Sequence, residues 1–157
     1  MELERARKIA DEVIARLQPY CSRIQIVGSI RRHKPTVKDI DIIFIPSDAW
    51  KLEGEVLALA RPFQPKLSGG KLKRFDYNGV QVDLYYATLE TWATLLLIRT
   101  GSKENNIRLA TLANKKGWHF FASGEGLFNE NGRRVAGDSE ESIYEALGLP
   151  YQRPEER

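Results

Sequence analysis

The sequence predicts an α/β (α+β) fold in which helices cover one face of a sheet and the opposite face stays open. Three observations predict it. Leu72–Tyr77 and Val80–Tyr86 alternate apolar and polar residues and are joined by Asn78-Gly79, a strong short hairpin signal. Segments with apolar residues at three- and four-residue spacing recur along the chain, as amphipathic helices require. Ile40–Ile45 and Val80–Tyr86 carry their carboxylates on one face and branched apolar residues on the other, so one side of the sheet is a core and the other a polar surface.

Leu3, Ala6, Ile9, Ala10, Val13, Ile14 and Leu17 define a helix over 3–17, ended by Pro19. A short strand over 23–27 delivers Gly28-Ser29, and a second strand over 40–45 stops at Pro46. Ser47 is the expected cap of a helix over 49–60 whose apolar side is Trp50, Val56, Leu57 and Leu59. Pro62 and Pro65 lead into a strand near 63–68, and Ser68-Gly69-Gly70 reads as a loop before the hairpin. Helices over 90–99 and 104–116 flank Thr100-Gly101-Ser102. Short strands over 118–122 and 126–129 and a helix over 142–147 complete the chain. The strand-rich half ends near residue 89, which predicts two lobes, 1–89 and 90–157.

The chain has 157 residues, 42% hydrophobic and 29% charged, enough for an independent core. No run of about 18 uncharged apolar residues exists, so no membrane span is expected. Met1-Glu2-Leu3-Glu4-Arg5 is too charged for a secretory signal, and Cys21 is the single cysteine, which excludes an internal disulfide and a thiolate metal site. A reducing compartment is expected: cytoplasmic or nucleoid-associated, not secreted. The net charge of +3 is mild, but basic residues gather at 31–38, 66–74 and 103–116. Acidic ones gather in the first helix and over 138–145, which predicts a basic face for a polyanion.

The chemistry concentrates in Gly28-Ser29-Ile30-Arg31-Arg32 and Lys38-Asp39-Ile40-Asp41-Ile42-Ile43-Phe44-Ile45. Read as strand residues, Asp39 and Asp41 project from one face and Ile40, Ile42 and Phe44 from the other. Neighbouring carboxylates repel, and a divalent cation between them relieves that repulsion. A Gly-Ser turn lets backbone N–H groups approach an anion, and Arg31 or Arg32 can clamp phosphate oxygens. Asp83 is a third strand carboxylate, sharing a face with Gln81 and Tyr85 and backed by Val80, Val82 and Leu84. Carboxylates for metal beside a phosphate cradle are the parts of phosphoryl transfer to or from a nucleotide. Lys71, Lys73 and Arg74, on an alternating strand, are weaker candidates for contact with a DNA backbone.

Gly28-Ser29-Ile30-Arg31-Arg32 … Asp39-Ile40-Asp41 resembles the nucleotidyltransferase signature of family X DNA polymerases, the DNA polymerase beta relatives. Thr100-Gly101-Ser102-Lys103 … Asn106 resembles the family's Thr-Gly-Ser motif. Glu141-Ser142-Ile143-Tyr144 … Leu149-Pro150-Tyr151 … Arg153-Pro154-Glu155-Glu156-Arg157 resembles its C-terminal end. The resemblance covers nearly the whole chain and implies a minimal form. A nucleotidyltransferase palm (1–89) with a mixed, largely antiparallel sheet precedes a nucleotide-binding subdomain (90–157), with no room for the family's lyase and helix-hairpin-helix segments.

By that resemblance Asp39 and Asp41 bind two Mg²⁺ ions, for which Mn²⁺ can substitute, and Asp83 binds the one that activates the primer 3′-OH. Gly28, Ser29 and Arg32 hold the β- and γ-phosphates, Asn106 contacts the incoming base, and Gly101 and Ser102 shape the sugar pocket. The implied reaction is addition of dNTPs to a DNA 3′-OH with release of pyrophosphate, filling short gaps in repair. The implied partners are primer-template or gapped DNA, the dNTP, and a repair protein that supplies template grip. The alternatives are a non-templated nucleotidyltransferase acting on RNA ends, a protein or a small molecule, and a catalytically silent DNA-binding module. Three departures stand out. Ile98-Arg99 replaces an aromatic Tyr-Phe pair, Gln81 replaces an arginine beside the third aspartate, and Ala110 replaces a template-positioning arginine.

Overall fold

The computed structural model describes residues 1–157. The chain forms two compact units, Met1–Tyr86 and Ala87–Arg157. In the first, helix α1 (Leu3–Leu17) buries Ala6, Ile9, Ala10, Val13 and Leu17, the three- and four-residue stripe of its sequence. Strand β1 (Cys21–Ile26) leads into a four-residue helix α2 (Gly28–Arg31), then β2 (Ile40–Pro46), helix α3 (Ala49–Ala60), and strands β3 (Leu67–Ser68), β4 (Leu72–Tyr77) and β5 (Val80–Tyr86).

The five strands form one sheet in the order β1-β2-β5-β4-β3. Only the central β2–β5 pair is parallel; β1–β2, β5–β4 and β4–β3 are antiparallel. Ile40, Ile42 and Phe44 of β2 and Val80, Val82 and Leu84 of β5 enter one core with the α1 stripe and with Leu52, Val56 and Leu59 of α3. Both helices therefore cover the same apolar face. Asp41, Asp83 and Tyr85 occupy the alternate positions and point to the other side.

Four expectations for this unit are corrected. Asp39 is not a strand residue but lies in a bend one position before β2. The β1 ladder ends with Ile26 opposite Ile42, because the chain turns into α2 at Gly28, so nothing on that side extends the pairing back to Asp39. The cap of α3 is Asp48, whose carboxylate accepts from Lys51 N–H at 3.0 Å, rather than Ser47. Its buried side is Leu52, Val56, Leu59 and Ala60, while Trp50 is 88% and Leu57 42% exposed. The strand expected near 63–68 shortens to Leu67–Ser68.

The second unit contains α4 (Trp92–Thr100), α5 (Lys103–Lys115), a three-stranded antiparallel sheet of β6 (His119–Phe121), β7 (Gly126–Phe128) and β8 (Arg134–Ala136), and α6 (Glu140–Ala146). Its own core joins Leu97, Leu109, Ala113, Leu127, Ile143 and Tyr144. Ser139 caps α6 through a reciprocal pair of hydrogen bonds with Ser142, which starts the helix two residues before the expected position. No helix of the chain is long and apolar enough to cross a membrane.

Candidate active site

The open face of the first sheet is organised by two registers. In the parallel β2–β5 pair, Asp41 lies directly opposite Asp83. In the β4–β5 hairpin, the two-residue turn Asn78-Gly79 sets Tyr77 opposite Val80, and the pairing therefore runs back to Arg74 opposite Asp83. Asp83 is thus flanked in the sheet by a carboxylate on one side and a guanidinium on the other.

Asp83 is only 4% exposed. Arg74 donates to it through both Nε, 2.8 Å from Oδ1, and Nη2, 3.2 Å from Oδ2. Gln81 Nε2 donates to Oδ1 at 3.4 Å. The Tyr85 hydroxyl stands between the two carboxylates, 3.4 Å from Asp41 Oδ1 and 3.5 Å from Asp83 Oδ2. The hydrogen bonds of Asp83 and then its charge raise the Arg74 guanidinium above its ordinary pKa, with a smaller contribution from the charge of Asp39. Asp39, although outside the strand, therefore contributes its charge to the same cluster.

Gly28 closes the other side of Asp41. Its φ of +63° is a left-handed conformation, and a Cβ placed on it would collide with Asp41 Oδ2. The glycine is required both by the turn and by the close approach of backbone to carboxylate. The turn is held by Val27 N–H donating to Asp41 O at 2.8 Å and by Arg32 N–H donating to Gly28 O at 3.1 Å. Ser29 and Arg32 are half-buried beside it.

In the second unit, Gly101 (φ +74°) ends α4, and the Gly101-Ser102 peptide is cis. The Ser102 hydroxyl caps α5 by accepting from Asn105 N–H at 3.2 Å. Asn106 donates from Nδ2 to Ile98 O at 2.9 Å, while its buried Oδ1 has no hydrogen-bond partner. Ile98, Asn106, Ile107, Ala110, Phe120 and Ala122 line a pocket of about 240 Å³. The lining is apolar apart from Asn106.

The structure thus brings Gly28, Asp41 and Asp83 together and leaves Asp39 in the bend before β2. It separates the three basic candidates of β4. Lys71 precedes the strand and is exposed. Lys73 lies on the helix side of the sheet, hydrogen-bonded to Glu53 of α3, whose carboxyl this contact, then Ser68, holds below its usual range. Arg74 faces the aspartates, so the three form no single basic stripe. Sequence reasoning missed Arg74 and Tyr85 as partners of the carboxylates. The signal was available, because a two-residue turn at 78–79 fixes 74 opposite 83.

No three of the His, Cys, Asp and Glu side chains converge on one point where a metal ion could sit. The residues nonetheless fit a hard divalent cation. Asp41 and Asp83 are adjacent all-oxygen donors on one face, and the missing side chain of Gly28 lets its backbone come up against Asp41.

Adjacent strand carboxylates beside a glycine turn, on a mixed sheet covered by helices on one face, define a chain of the polymerase beta fold. The chain is similar in sequence to a family X polymerase and in fold to polymerase beta. Residues 95–157 match the family model described as DNA polymerase beta thumb. Over 97% of its length the chain is 30% identical to the DNA polymerase/3'-5' exonuclease PolX of Bacillus subtilis (strain 168), and it spans 27% of that protein. Its fold matches the polymerase beta of Leishmania infantum, solved as a ternary P/T complex, with a TM-score of 0.82 and 20% identity. The match covers 100% of this chain and 76% of that one.

Proposed function

We propose that the chain catalyses metal-dependent addition of a dNTP to a DNA 3′-OH, with release of pyrophosphate, and that it fills short gaps in repair. The observation that carries this reading is the in-register pair Asp41–Asp83 on the open face, abutted by Gly28. The relatives support the same reaction class. One is named a DNA polymerase, and the other was solved with primer and template.

In this reading Asp39, Asp41 and Asp83 hold two Mg²⁺ ions, which supply charge neutralisation at the attacking and leaving oxygens of an in-line displacement. The Gly28-Ser29 turn and Arg32 orient the β- and γ-phosphates through backbone N–H groups and a guanidinium. Asp83 accepts the proton of the 3′-OH or directs it to solvent. Asn106 contacts the base from the pocket it lines, and Ile98 bounds that pocket.

Asp83→Ala tests the division of roles. Incorporation should be lost while binding of the dNTP with Mg²⁺ persists, because Asp83 serves the primer side. Equal loss of binding and turnover contradicts it.

A further inference from the structure

The Asp83 carboxylate has about four lone-pair directions, and donors already engage both of its oxygens. Two come from Arg74 and one from Gln81, with a share of the single Tyr85 proton. The two close contacts, one on each oxygen, both come from Arg74. Gln81 and Tyr85 are neutral and bind at 3.4 Å and 3.5 Å, at the long end of hydrogen bonding. Arg74 is bidentate, close and charged, and a divalent cation arriving at Asp83 would repel it. The two side chains also differ in their freedom to leave. The Asp83 side chain is 6% exposed and fixed in the centre of the sheet, whereas the Arg74 side chain is 33% exposed and can retract into water.

We propose that Arg74 is a positioning residue that serves as the internal counter-cation of Asp83. It holds the carboxylate in place in the cation-free chain and gives it up when a divalent cation binds. Loading of the site is then a displacement, in which the cation gains Asp83 only as Arg74 leaves. In its absence the guanidinium offsets the repulsion between Asp41 and Asp83, which face each other in the sheet. Arg74 also supplies from the neighbouring strand the positive partner that position 81, a glutamine, does not.

The proposal rests on the reading of the aspartates as cation ligands, and one titration separates the two. Mn²⁺ is added to the wild-type chain and to Arg74→Met, with the free ion followed by its electron paramagnetic resonance signal. Arg74→Met should bind the ion more tightly, on the order of tenfold, the scale of one charge-assisted contact no longer displaced. The gain should vanish when Asp83→Asn is added to Arg74→Met. Equal or weaker binding by Arg74→Met overturns the role of Arg74. Absence of saturable binding in both chains overturns the cation reading and the displacement with it.

The wild-type chain provides a second readout that no substitution can disturb. The Arg74 Nε–H resonance should be protected from exchange in chelator and lose that protection in saturating Mg²⁺. Its persistence unchanged in Mg²⁺ contradicts displacement.

Discussion

Gly28 and Gly79 both have positive φ, +63° and +75°, yet only one of them touches the site. Alanine at either position costs about 1–2 kcal/mol in the left-handed region. A Cβ at Gly79 meets nothing within 4 Å, so Gly79→Ala should lower stability and leave nucleotide incorporation unchanged below the melting transition. Gly28→Ala should add loss of incorporation, because its methyl group pushes into Asp41. Melting curves and turnover on the two variants check the pair, and an active Gly28→Ala would show that the close approach is dispensable. Ile98 is the second informative residue. It stands where the resemblance to family X polymerases places an aromatic side chain, lines the pocket beside Asn106 and has no hydroxyl, so in the proposed reading it would crowd a sugar 2′ position little. Discrimination from such a loose fit is worth about 1–3 kcal/mol, roughly ten- to two-hundredfold. The kcat/KM ratio of dGTP to GTP should fall in that range and rise in Ile98→Tyr. A ratio above about ten-thousandfold in the wild type points to a strict gate elsewhere.

At the scale of elements, what the sequence made legible follows local chemistry. The limits of β4 and β5 could be read directly, because Asn78-Gly79 is a turn signal and alternation fixes the faces on either side. Helix α1 was equally plain, since its apolar stripe repeats over fifteen residues. Four-residue α2 is too short to show a period, and β8, Arg134–Ala136, has one branched apolar residue between an arginine and an alanine. The exposed face of α3 was misjudged because Trp50 and Leu57 are apolar but turn away from the sheet. The buried ion pair of the second unit was also not foreseen. Arg157 Nη1 donates to Glu140 Oε2 at 2.7 Å, Nε donates to Gln152 O at 2.9 Å, and the guanidinium lies 5.6 Å from the Tyr144 ring and 5.4 Å from the Tyr151 ring. No helix or strand period relates residues 140 and 157, so only tertiary structure reveals the pair. Arg157→Ala removes the cation from a carboxylate that is 6% exposed and should cost about 3–5 kcal/mol in chemical denaturation. A loss below about 1 kcal/mol would place the pair in an environment as well solvated as the surface.

The molecule as a whole has two cores, one under the sheet with the aspartates and one among α4, α5, β7 and α6. Its stability should decline in alkali. Burial pushes the Cys21 thiol from 9.0 up to about 11, and burial followed by the hydrogen bond to Glu12 raises the Tyr77 hydroxyl. Both groups keep their protons in the folded chain at a pH where the unfolded chain has begun to lose them. Their contribution is therefore complete below the unfolded pKa and is lost as pH rises through the folded one, for the thiol between 9.0 and about 11. Urea denaturation at about pH 8 and about pH 11 should show the decline, and Cys21→Ala should reduce it. An identical decline in Cys21→Ala would assign the effect to Tyr77 or to other groups. The central claim, that the open face of the first sheet transfers nucleotides to DNA, is tested most directly by primer extension. Wild-type chain, dNTP and Mg²⁺ are combined with DNA carrying a single-nucleotide gap, with blunt primer and an RNA substrate as controls and released pyrophosphate as the readout. Incorporation of one nucleotide on gapped DNA, with stoichiometric pyrophosphate and with loss of both in Asp41→Ala, is the expected result. No incorporation on gapped DNA, or incorporation that survives Asp41→Ala in a folded chain, would contradict the account.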